Sequence, residues 1–189
     1  MRQRLMILMI IAPILTFGQL IDELPKDESG NLNYNEVIQI ENIKKDELYL
    51  RSKQFFVDVF KSAKDVIQMD DKEAGVVIGK GFNDIYIKVI GISTPIQMWY
   101  TIKIQSKEGR YKYEIYDIYF KSYPGQYGTT TTRAEKMFDQ KTYFKKNGDP
   151  RDVQEKYKIE TISRANSLMV VIKATMNKAV TSTDKKNDW

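Results

Sequence analysis

The chain has 189 residues and contains neither cysteine nor histidine. Without cysteine there is no disulfide framework, no thiolate metal site and no acylation site for a lipid-anchored leader. Without either residue the usual zinc sets and the His-based catalytic triads cannot be assembled. Proline is scarce, at 5 residues. Long apolar runs are also missing. The longest, Leu5 to Phe17, falls short of the roughly 20 residues that a spanning helix needs. What remains is an ordinary globular composition, 42% hydrophobic and 12% aromatic, with a net charge of +5.

The apolar run follows Met1-Arg2-Gln3-Arg4 and ends in Thr16-Phe17-Gly18-Gln19. A basic flank, a short apolar core and small residues, in that order, read as an export signal cut after Gly18. The mature chain would lose Arg2 and Arg4 and carry a net charge of +3, too near neutral to argue for a polyanionic partner. The expected organisation is a signal peptide at 1–18, a flexible lead-in at 19–35, one domain at 36–180 and a flexible tail at 181–189, the whole acting in the periplasm or outside the cell. No segment of the mature chain is expected to cross a membrane.

Within the domain, Val37, Ile38, Ile40 and Ile43 mark a strand. Leu48, Phe55, Phe56, Val59, Phe60, Ala63 and Ile67 recur at helical spacing, with Arg51, Lys53, Asp58, Lys61 and Lys64 on the opposite side. Asp70 to Gly75 reads as a turn. Strands are expected at 76–81, 85–90, 96–105 and 110–123. Ile96, Met98, Tyr100, Ile102 and Ile104 alternate with Gln97, Trp99, Thr101, Lys103 and Gln105, the period of a half-buried strand. Tyr111, Tyr113 and Ile115 are followed by Ile118 and Phe120, a phase slip that predicts a bulge near Tyr116. Residues 124–148 read as a long polar loop, and Asp149-Pro150 as the start of a helix over 151–178. One apolar sheet face and two one-sided helices give a two-layer α+β fold: a curved, mostly antiparallel sheet with both helices on one face.

Three stretches of this pattern also resemble a known family. They are Lys45-Asp46-Glu47-Leu48-Tyr49-Leu50-Arg51-Ser52 with the Phe55–Phe60 helix, the turn Asp70 to Gly75, and Val76-Val77-Ile78-Gly79-Lys80-Gly81. Over roughly residues 35–123 they are similar to the exported bacterial family called domain of unknown function 4468, described as having a TBP-like fold. The resemblance implies a β-α-β-β-β-β order closed by a C-terminal helix. It implies no activity and no catalytic residue, and a shape shared with a DNA-binding repeat does not transfer function.

The side chains available for chemistry are carboxylates, Lys, Tyr, Ser and Thr. Asp70, Asp71 and Glu73 crowd one turn without the spacing of a calcium loop, and they read as turn residues. Gly79-Lys80-Gly81 lacks the spacing of a phosphate loop and lies in a strand. With Val76 and Ile78 taken as the apolar face, Gly79 and Gly81 fall on the outer face beside Tyr86, Lys88, Trp99 and Lys103, and these six are the candidate binding residues. Rings among lysines suit a protein partner or a stacked ligand; rings lying over glycines would be structural. Glu114 and Asp117 dilute the positive charge that nucleic acid requires. The function expected is a non-catalytic binding module of the bacterial cell envelope, without cofactor, whose partner is an envelope protein or a small ligand. The alternatives are a carrier of a small apolar ligand, with a cavity lined by Phe56, Phe60, Tyr100 and Met169, and a carboxylate-dependent hydrolase.

Overall fold

Ile96, Met98, Tyr100, Ile102 and Ile104 are all buried, so the alternation read in the sequence sets the inner side of the sheet. They lie on β4 (Ile92–Lys107), the middle strand. The computed structural model describes residues 24–60, 62–125 and 128–178; the signal peptide with its cut after Gly18 and the tail at 181–189 lie outside the described residues. Around β4 the sheet is antiparallel, in the order β1 (Tyr34–Gln39), β5 (Arg110–Ser122), β4, β3 (Val76–Val89) and β2 (Ile67–Asp71). A short β6 (Thr131–Arg133) pairs with Tyr119 to Lys121 of β5, beyond the part that β1 covers.

Helix α1 (Lys45–Val59) packs on β3, β4 and the long final helix, and a single turn, α2 (Ala63–Val66), leads into β2. Two more single turns, α3 (Ala134–Met137) and α4 (Gln140–Tyr143), precede the final helix, α5 (Asp152–Asn177). At 26 residues α5 runs about 39 Å and crosses the sheet. Its Lys173 Nζ lies 2.6 Å from Glu36 on β1, and Arg164 Nη2 donates to the Asp84 carbonyl on β3 at 3.3 Å. Both long helices therefore cover one face, and among the described residues no helix lies on the other.

Several details differ from the sequence reading. Residues 76–89 form one continuous strand, so the phase set by the buried Ile85 and Ile87 runs back through Gly81, Gly79 and Val77. Gly79 and Gly81 thus belong to the inner face, not the outer one. The reason is steric. A Cβ on Gly79 would lie 2.3 Å from the Phe56 ring, and one on Gly81 2.4 Å from the Phe60 ring. The rings of Phe56, in the last turn of α1, and Phe60, just past its end, have centres 6.0 Å apart, and glycines two apart on a strand are spaced by about 6.8 Å, so two stacked rings settle on two bare backbone positions. Phe56, Tyr100 and Met169 are buried in the same core and Phe60 packs against it, so the side chains expected to line a ligand cavity fill that space themselves.

The helix expected to run on to Ile67 breaks after Val59, and Ile67 opens β2, a strand the periodicity hid because Ile67 continues the helical stripe. Arg51, placed on the polar side, is buried. Its Nη1 donates to the Met176 carbonyl at 2.7 Å, holding the last turn of α5, where a cation suits the helix dipole. Part of the expected lead-in is folded: a turn closes between Lys26 and Leu32, and Leu32 and Tyr34 are buried. The 124–148 segment carries β6, α3 and α4 instead of a structureless loop. Asp149 does not cap α5, whose N-cap is Arg151. The predicted bulge is present: Trp99 pairs with Tyr119 but Thr101 with Tyr116, so β5 holds one extra residue, and Asp117 takes φ +51 within it.

Candidate functional site

The helix-free face is built from the side chains that alternate with the buried ones. Pairing sets Phe82 on β3, Trp99 on β4 and Tyr119 on β5 in one row. The Trp99 and Tyr119 rings are parallel within 3° at 5.9 Å, and Phe82 tilts onto Trp99 at 4.8 Å. Trp99 Nε1 donates to Gln97 at 3.1 Å, which fixes the ring in the sheet surface. The row is half open to water: Phe82 is exposed, and Trp99 and Tyr119 are half-buried.

Beside the row lies a polar groove of about 530 Å³ that crosses the sheet from Gln68 on β2, over Lys80, Thr101 and Tyr116, to Asp117 and Arg133. The bulge organises it. The left-handed backbone suits Asp better than a branched residue, and it turns the Asp117 carboxylate toward two cations. Lys80 Nζ lies 2.9 Å from one oxygen and Arg133 Nη1 3.0 Å from the other. Lys80 also sits 5.1 Å from the centre of the Tyr119 ring, which joins the charged groove to the aromatic row. The hydrogen bond to Asp117 raises the Lys80 pKa above its ordinary value against the opposing effect of burial, so the amine stays charged. Burial raises the Tyr116 hydroxyl, which stays protonated. The other carboxylates of the groove are engaged too: Asp27 accepts from the Ser29 and Asn31 amides, and Glu135 from the Leu32 amide. The chemistry on offer is two cations shared by one carboxylate, a hydroxyl or two and side-chain amides, next to flat rings.

The six candidate residues do not converge. Trp99 stands at the centre of the row. Tyr86, 58% exposed, and Lys88 lie on the same face toward the tip of the β3–β4 hairpin. Lys103 lies the other way, paired with Ile78, about 27 Å from Tyr86 along β3. It is 3.5 Å from Glu114, which Lys112 also engages. Burial opposes ionisation of Glu114, but the two lysines outweigh it and hold the carboxyl below its ordinary value. Gly79 and Gly81 are on the inner face under phenylalanine rings, so they contribute to packing and not to this surface. The reading of the residues missed Lys80, Tyr116, Asp117 and Arg133 as a group. The one signal for them was the phase slip near Tyr116, since a bulge re-aims a side chain.

This architecture has known counterparts. Residues 34–121 match the family model DUF4468, a domain of unknown function with TBP-like fold. That span carries the likeness to the family. The chain is similar in structure to a DUF4468 family protein from Bacteroides ovatus, with a TM-score of 0.67 at 17% identity over 86% of this chain and 95% of that one. It is also similar to a TBP-like protein from Parabacteroides distasonis, with a TM-score of 0.63 at 18% identity over 82% and 98%. At such identities the likeness is one of fold. Comparison with curated proteins finds no match. The DUF4468 span supplies Lys80, Thr101, Tyr116, Asp117 and the aromatic row; Asp27, Asn31, Asn33, Arg133 and Glu135 of the groove come from the flanking segments.

Proposed function

We propose that the chain is an exported, non-catalytic recognition module of the bacterial cell envelope, and that it meets its partner across the helix-free face of its DUF4468 domain. One observation carries the reading: Phe82, Trp99 and Tyr119 form a continuous aromatic row, partly open to water, on a face that no helix of the described residues covers, with a polar groove alongside. Tryptophan and tyrosine are the favoured anchors of protein contacts. Lys80 and Lys103 are matched by Asp117 and Glu114, which favours a protein or a small polar ligand over nucleic acid. The engagement of the groove's carboxylates by backbone amides and cations supports binding over hydrolysis. The basic, apolar and small-residue order at the start of the chain supports export.

The test is capture from the native envelope with the wild-type protein and Trp99→Ala in parallel. Loss of the same species from the Trp99→Ala sample is the expected result. Equal recovery with both proteins would refute the reading.

A further inference from the structure

β2 pairs with β3 only as far as Gly79, so among the described residues no strand lies beside Lys80 to Val89 on that side. The hairpin between β3 and β4 closes through Val89 and Ile92 over the two residues Ile90 and Gly91. In such a hairpin the odd-numbered residues of β3 exchange hydrogen bonds with β4, and the N–H and C=O groups of Phe82, Asp84, Tyr86 and Lys88 turn to the open edge. The contacts agree. The Asp84 carbonyl accepts from Arg164 and the Lys88 carbonyl from Lys156, both side chains reaching out from α5.

The hairpin tip is unusual. Both turn residues have positive φ, +48 at Ile90 and +81 at Gly91, where asparagine and glycine are the norm. A β-branched residue there is a genuine outlier, and this one is 97% exposed, with Ile92 71% exposed beside it. Among the described residues of one copy, nothing covers the Ile90 side chain. Further along the same edge, a groove of about 610 Å³ is lined by Val59, Phe60, Phe82 and Trp99 together with polar side chains such as Asp65 and Asn83.

We propose that the free edge of β3 pairs antiparallel with the same edge of a second copy, about a two-fold axis at Tyr86. Charge and the length of the free edge select this register: an axis at Phe82 would also oppose Lys80 and Asp84, but it would carry the partner's strand past Lys80 into β2. With the axis at Tyr86, Asp84 lies opposite the partner's Lys88 and Lys88 opposite the partner's Asp84, while Ile85 meets the partner's Ile87. An axis at Asp84 would set aspartate on aspartate and Lys80 on lysine; one at Lys88 would set lysine on lysine. Axes at Ile85 or Ile87 leave the charges unmatched. In the chosen register the partner's Ile90 falls opposite Phe82, on the apolar side of that groove, and the exchange is reciprocal, as a two-fold contact requires. The edge carbonyls keep their α5 cations, because a carbonyl oxygen has two lone pairs and can take a partner amide as well. The product is one sheet continuous across two copies, with the helices of both on the same side and both helix-free faces open.

Sedimentation of the purified protein across the micromolar range tests this. The wild type should be a dimer. Asp84→Lys, which sets lysine against lysine, should weaken association about a hundredfold, and the double variant Asp84→Lys/Lys88→Asp should restore the dimer. Ile90→Asn keeps a residue suited to the turn while removing the apolar tip; it should weaken association about tenfold and leave the thermal melting of the monomer unchanged or raised. A wild type that stays monomeric, with the edge left to a strand of another protein or to solvent, would overturn the proposal. So would an Asp84→Lys variant as dimeric as the wild type, or a charge swap that fails to restore association.

Discussion

The two faces of the sheet are made from the same strands, residue by residue in alternation, yet they are finished differently. The inner face is closed by shape: Phe56 and Phe60 lie on Gly79 and Gly81, and Tyr34, Tyr100, Tyr111 and Tyr113 are buried under the helices. The outer face is closed by charge and ring stacking: Lys80 with Asp117, Lys103 with Glu114, and Trp99 on Tyr119. A fold of this size needs only one packed layer of this kind against its sheet, and that leaves the second face free to vary its side chains with little effect on stability.

Raising the pH should break the inner face most severely. Burial pushes the hydroxyls of Tyr34, Tyr100, Tyr111 and Tyr113 above the ordinary value of 10.0, with the Glu36 carboxylate adding to the effect at Tyr113. Unfolded tyrosines ionise near that value and folded ones do not. The stability these groups contribute is therefore complete below pH 10.0 and falls as pH rises above it. The expected result is a single cooperative step above pH 10.0 in which tyrosinate absorbance rises as far-UV circular dichroism is lost. Gradual ionisation with the fold retained would show that the inner face is wetter than described.

Gly79→Ala comes next. Its Cβ meets the Phe56 ring at 2.3 Å, and overpacking of this kind costs about 2 kcal/mol in a urea titration. Adding Phe56→Leu should recover part of the loss, because the smaller side chain gives way. Arg51→Ala removes the buried guanidinium that holds the Met176 carbonyl, with an expected loss of about 2 kcal/mol. At the small end stand the outer-face pairs. Lys103→Ala should lower stability by less than about 1 kcal/mol. On the helix side the Asp70 carboxyl is held below its ordinary value by hydrogen bonds from Lys53 and Tyr49, and on the outer face Glu114 is held there by its lysines. Their contributions are present above the ordinary carboxylate range and fade as pH falls through it, so acid should weaken the fold gradually, without the sharp step expected in alkali.

The same contrast explains what could be read from the sequence. The inner face of β4 was legible because its five apolar residues alternate without interruption. The inner face of β3 was not, since glycines hold the positions where apolar side chains would have shown the phase, while Val76 and Ile78 on the other side imitate it. The bulge in β5 was legible as a slip between Ile115 and Ile118. The groove it creates was not, because Arg133 reaches Asp117 from a three-residue strand too short to leave a periodicity. Trp99 was found from its alternation alone. Its neighbours in the row follow from register, which a single strand does not encode.

The division of labour between the faces is tested most directly by a photo-crosslinking amino acid placed in the native envelope at Tyr119, on the aromatic row, or at Val171, exposed on the far side of α5. A discrete adduct is expected from position 119 and none from position 171. An adduct from 171 alone, or none from either, would contradict that division.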